Sequence, residues 1–132
     1  TVEKAINDNG GKMVEGRKML GGKNVPIWAI IKRHDDIGNM YNRKVDIFIE
    51  NTQRLIPEYL VSFEFLVDKM KEFGLELEET ELYRETFEKM KGQIPKEEEK
   101  QTSLDKTILE LDKEELQKKF SFMNRWVVFK KI

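Results

Sequence analysis

No cysteine occurs in the 132 residues, which excludes disulfides and thiolate metal sites. That fits a reducing compartment. Histidine is almost as scarce. The single one, His34, has no second histidine or cysteine at a ligand spacing, so a solvated loop role outweighs a metal or base role. No apolar run approaches the ~20 residues of a membrane span, and no signal peptide is visible. Charge of one sign is missing too. Lys plus Arg is 24 against 25 Asp plus Glu, a net charge of −1, so any contact with nucleic acid has to be local. The Gly-x-Ser-x-Gly elbow, the Gly-Lys-Ser/Thr phosphate loop and the His-Glu-x-x-His helix are all absent.

What is present describes one domain or a fragment of one, residues 1–132. Charged residues make up 37% and aromatics 10%, a polar profile that can still build a core. The chain starts at Thr1, which suggests a fragment or a processed product. Residues 1–8 read as a short helix stopped at Asn9-Gly10-Gly11. Residues 10–24 hold five glycines and read as loop, with at most a weak strand near Lys12–Glu15. Ile27–Arg33 and Lys44–Glu50 read as strands joined through turn formers at Asp35, Asp36, Gly38 and Asn39.

The clearest helix follows. Ser62 suits its N-cap, Glu64 its first turn and Gly74 its end. Phe63, Leu66, Val67, Met70 and Phe73 recur on one face. Leu75–Leu82 alternates as a strand, and Tyr83–Lys91 reads as a helix with Phe87 and Met90 inward. Residues 93–103 are charged, contain proline and read as a flexible loop. Glu97-Glu98-Glu99 within it reads as solvent-facing charge rather than a cation site. Asp112–Phe120 reads as a helix capped by Asp112, and Arg125–Ile132 as a closing strand. The pattern is α/β or α+β, a sheet covered by helices.

One residue invites a sharper reading. Glu58 lies between Pro57 and Tyr59, just before a helix. A carboxylate accepts two hydrogen bonds side by side, and the guanine edge offers two parallel donors, N1–H and N2–H₂. Tyr59 would supply a stacking face. The competing reading is a carboxylate placed near the N-terminus of a helix.

The run IWAIIKR, KVDIFIE, then IPEYLVSFEFLVDKMKEFGLEL, with the terminal FSFMNRWVVFKKI, resembles the second half of messenger-RNA cap guanine-N7 methyltransferases. The similarity is to the large-DNA-virus type, the capping enzymes of poxviruses and giant viruses. It extends over essentially the whole chain and is specific in PEYLVSF and the C-terminal strand.

The resemblance implies an α/β fold: the C-terminal portion of a class I (Rossmann-like) methyltransferase sheet, with covering helices and a β-hairpin insertion. It implies methyl transfer from S-adenosylmethionine to N7 of the cap guanine, an already nucleophilic atom with no proton to remove. Catalysis in the family is therefore mainly proximity and orientation. Glu58 and Tyr59 would meet the guanine. Aligning the terminal Phe-Lys-Lys puts Asn124 where cellular members have a cap-pocket tyrosine, or Trp126 if the register slips.

The family's Gly-rich donor loop is not in these residues, so no catalytic residue is assigned here. The donor would bind only in the complete enzyme, and these residues alone would give no turnover. Expected partners are the capped RNA 5′ end and the N-terminal half of the same domain, with a stimulatory subunit left open and no membrane. The expected location is the cytoplasm, or the host cytoplasm or virion for a viral protein. Two other readings stand beside this one: a non-catalytic interaction domain, and part of another class I methyltransferase acting on a small molecule.

Overall fold

The computed structural model describes residues 1–34 and 42–132; the turn formers Asp35, Asp36, Gly38 and Asn39 lie outside them. The chain is a mixed α/β protein with antiparallel sheets. It divides into two compact units, residues 1–78 with 128–132, and residues 79–127.

The first unit opens with helix α1, Val2–Asp8, capped by the Thr1 hydroxyl, which accepts from Lys4 N at 3.2 Å. Strand β1, Met13–Leu20, and strand β2, Lys23–Lys32, then form a hairpin. This corrects the loop expected over 10–24. The glycine pair read as flexible is a two-residue hairpin turn: Gly21 and Gly22 have φ of 56° and 78°, the positive values such a turn requires. The register shifts by one residue between Gly16 and Arg17, opposite Pro26, which has no N–H to give to a regular ladder. Gly16 is also required by packing: a Cβ there would sit 2.4 Å from the Trp28 indole nitrogen.

Strand β3, Lys44–Ile49, pairs with β2, and strand β4, Arg54–Tyr59, pairs with β3. The sheet order is β1-β2-β3-β4. Directly paired residues share a face, so Val14, Gly16, Trp28, Ile30 and Val45 lie together. All are buried, and α1 packs against β1 and β2 with Ile6 at 1% exposure. The opposite face holds a shallow cleft of about 520 Å³ lined by Met13, Ala29, Ile31, Phe48 and Leu55, among others.

Helix α2, Phe63–Glu72, begins as its sequence indicates. Ser62 Oγ accepts from Phe65 N at 3.5 Å, and Gly74, with φ 72°, ends it. Phe73 departs from the expected apolar face and is exposed. Strand β5, Leu75–Leu82, pairs with strand β6, Arg125–Lys131. Ile132 N donates to Gly74 O, and Tyr83 N donates to Asn124 O, so the two run antiparallel. The division between the units falls within this ribbon.

In the second unit, helices α3, Tyr83–Gly92, α4, Ser103–Leu111, and α5, Glu115–Ser121, pack on one another. Phe87 and Ile108 are buried, whereas Met90, expected inward, is exposed. Helix α4 is absent from the sequence reading. Its signal is a reciprocal cap: Thr102 Oγ1 accepts from Asp105 N at 3.2 Å, and the Asp105 carboxylate accepts from Thr102 N at 2.7 Å. Within 93–103, Glu98–Lys100 forms a 3-10 turn, and Gln101 Nε2 donates to Pro95 O at 2.9 Å. Asp112, expected to start α5, instead ends α4, and it is paired with Lys91 at 3.0 Å and Lys118 at 3.2 Å.

Candidate functional site

Glu58 is a strand residue. A 3-10 turn, Glu50–Thr52, and Gln53 in the left-handed region at φ 51° return the chain from β3 into β4. Leu60 N donates to Arg43 O at 2.9 Å. By antiparallel alternation Glu58 directs its backbone groups toward Val45, while Pro57 directs its nitrogen away from the sheet. Pro57 therefore removes a donor from the free edge, where proline is tolerated and blunts further strand pairing.

The competing reading of Glu58 as a helix-terminus carboxylate loses its basis. Glu58 lies inside β4, before Leu60 and Val61, and Glu64 is the acidic residue in the first turn of α2. Every residue of β4 is exposed. Among the described residues none is hydrogen-bonded or ion-paired to the Glu58 carboxylate.

Tyr59 is exposed as well, at 58%, but consecutive strand residues point to opposite faces. Glu58 faces with Val45, and Tyr59 with Lys44. The two side chains therefore do not close on one base from the same side of the sheet.

Asn124 and Trp126 belong to the second unit. Asn124 ends α5: its Nδ2 donates to Ser121 O at 3.1 Å and Phe120 O at 3.3 Å. Trp126 is half-buried, and its Nε1 donates to Thr86 Oγ1 at 2.7 Å. The Thr86 hydroxyl donates in turn to the Glu81 carboxylate, which also accepts from Lys89. This network was not legible in the sequence, because its members are up to 46 positions apart, as in the Thr80 hydroxyl bond to Trp126 O.

The network has a pH signature. Hydrogen bonds from Lys89 and then Thr86 hold Glu81 below its ordinary pKa of 4.5, and Glu81 raises Lys89 above 10.5. Bonds from Lys91 and then Lys118 likewise lower Asp112. A lowered folded-state carboxylate contributes stability above its unfolded pKa and loses it as pH falls through the folded value. A raised lysine contributes below its unfolded pKa and loses it as pH climbs through the folded value. Stability from the Glu81–Lys89 pair is thus complete between 4.5 and 10.5 and declines on both sides. Urea midpoints followed across the acid range should fall in the wild type and fall less steeply in Glu81→Gln. Parallel acid limbs would show that the pair contributes nothing.

His34 is half-buried rather than solvated, with Nδ1 2.9 Å from Lys44 O. Among the described residues no cluster of His, Asp or Glu has the geometry to hold a metal, and no helix is long and apolar enough to cross a membrane. Gly10-Gly11 joins α1 to β1, and Gly21-Gly22 is a hairpin turn. Neither is the strand-to-helix loop that a nucleotide-like methyl donor requires. Compared with models of known protein families the chain matches none, and no curated protein matches it.

Proposed function

We propose that these residues form the cap-binding side of a messenger-RNA guanine-N7 methyltransferase, the C-terminal part of a class I fold whose donor-binding part is not among them. The observation that carries the reading is the Glu58 carboxylate: exposed, without a protein partner among the described residues, on a strand edge blunted by Pro57. Such a carboxylate keeps both oxygens available for the N1–H and N2–H₂ donors of guanine. Three features support the context: an antiparallel hairpin, a helix following PEYLVS, and an antiparallel ribbon formed by the last strand. The cleft opposite α1, lined by Met13, Ala29, Ile31, Phe48 and Leu55, is apolar surface that a further part of such a domain would cover.

The glycine turns here do not fit S-adenosylmethionine, so no step of methyl transfer is assigned to these residues. Their role in the proposal is recognition. Nucleotide selectivity tests it. The chain, titrated by NMR, should bind GTP more tightly than ITP, which lacks the N2 amine, and more tightly than ATP. Equal affinity for all three would contradict the proposal.

A further inference from the structure

The four-stranded sheet has two edges, and they are built differently. On β4, Pro57 withholds a donor. On β1 no proline occurs, and the register shift beside it skips Ile27 of β2, so β1 itself alternates regularly from Met13 to Leu20. The bond from Lys32 N to Lys12 O at 2.9 Å fixes that alternation. Val14, Gly16 and Lys18 turn their backbone groups toward β2, and Met13, Glu15, Arg17 and Met19 turn theirs outward. Met13 O accepts from Asn9 Nδ2 at 2.9 Å. Among the described residues, the outward N–H and C=O groups of Glu15, Arg17 and Met19 have no partner.

Such an edge is a template for another strand. Its side chains indicate which strand. Glu15 and Arg17 share a face and are paired at 3.1 Å. Arg17 Nη2 also donates to Asn24 O at 2.7 Å, which fixes the guanidinium on that face. A second β1, laid antiparallel about a two-fold axis at Gly16, sets Glu15 opposite Arg17 of the copy and Arg17 opposite the copy's Glu15. The four charges then alternate in sign around the axis. The backbones match as well, because both residues of each pair point their bonding groups outward.

Other registers fail. An axis at Glu15 sets that carboxylate against itself, and an axis at Arg17 sets two guanidinium groups together. An axis between two residues opposes an outward residue to an inward one and forms no ladder. In the Gly16 register, Lys18 meets Val14 and Lys12 meets Leu20, so no like charges stand directly opposite. Met13 meets Met19, which is 62% exposed in the single chain.

We propose that the free edge of β1 pairs with the same edge of a second copy of this chain, joining two four-stranded sheets into one continuous sheet. The proposal rests on the edge of β1 and its charges, and not on guanine recognition.

The full chain tests it at physiological salt. By sedimentation equilibrium its mass should rise from one chain to two between micromolar and millimolar concentration. Over that range amide exchange should slow at Glu15, Arg17 and Met19, and stay unchanged at Gly16 and Lys18, whose N–H groups already face β2. Glu15→Arg and Arg17→Glu should each weaken dimerisation on the order of tenfold or more, because two attractive cross-strand pairs become repulsive. Mixed in equal amounts, the two variants should pair with each other, since one edge is then cationic and the other anionic. That recovery also shows that both variants are folded. Leu55→Ser, at an exposed residue of β4, should dimerise like the wild type. The proposal is overturned by a wild type that stays monomeric at millimolar concentration, or by dimers in which the Glu15, Arg17 and Met19 amides exchange as in the monomer. Charge-reversed variants that dimerise like the wild type, folded variants that do not recover on mixing, or a dimer lost in Leu55→Ser also overturn it.

Discussion

Phe87→Ala should destabilise the second unit by about 3–5 kcal/mol, the usual cost of emptying a buried aromatic site. Phe87 is 8% exposed on α3, and its ring lies 5.4 Å from that of Phe122 at an interplanar angle of 57°. The substitution removes the buried area of one ring and the tilted ring pair together. The Arg84 guanidinium, 5.5 Å from the Phe122 centroid, would keep its partner only if Phe122 stayed in place. Few other residues can compensate, because Ile108 on α4 is the only other buried apolar residue of that unit among the described residues. Urea unfolding of wild type, Phe87→Leu and Phe87→Ala should rank in that order. A cost for Phe87→Ala below about 1 kcal/mol, the range of ordinary surface and minor substitutions, would show that this packing is not the unit's core.

Ile6→Ala should cost about 2–5 kcal/mol in the first unit. Helix α1 has seven residues, too few to persist in water without packing. Ile6 is its one buried side chain, and it meets the face on which Val14, Trp28, Ile30 and Val45 are buried. A loss of this size is a large part of the 5–15 kcal/mol that ordinarily separates folded from unfolded chains. Thermal unfolding by circular dichroism should show a midpoint lowered by ten degrees or more, at about 4–8 °C per kcal/mol for a unit of this size. Asn7→Ala, at an exposed neighbour, should leave the midpoint almost unchanged. Equal effects from the two substitutions would mean that α1 is not docked as described.

Both units were partly legible in the sequence, and the limits have physical causes. Helix α2 was legible because its N-cap, apolar spacing and terminal glycine are all local signals. Strand β3 was legible because its alternation is regular. Strand β1 was hidden because glycine has two meanings: Gly10-Gly11 breaks a helix, Gly21-Gly22 makes a tight hairpin, and Gly16 only makes room for Trp28. Strand β4 was hidden because Pro57 argues against a strand unless it occupies the outward side of an edge, which only pairing reveals. Asp112 was misplaced because an aspartate before glutamates looks like a cap, whereas its partners are Lys91 and Lys118.

The candidate site shows the same division. The sequence singled out Glu58 through its neighbours, and β4 leaves its carboxylate exposed. The sequence also placed Tyr59 beside it as a stacking surface. Period-two alternation sends Tyr59 to the other face, a consequence that follows only once β4 is known to be a strand.

The central claim is that the Glu58 carboxylate reads the edge of guanine, and Glu58→Gln tests it most directly. Glutamine keeps the size of the side chain but replaces one acceptor with a donor that meets guanine's own donors. A charge-assisted hydrogen bond contributes on the order of 1.5–3 kcal/mol. GTP affinity, measured by NMR titration of the labelled chain, should therefore fall on the order of ten- to a hundredfold. ITP, which keeps N1–H, should lose less than GTP, ATP should change little, and the amide spectrum away from β4 should stay in place. A Glu58→Gln chain that is folded and still prefers GTP over ITP by the wild-type margin would contradict the account.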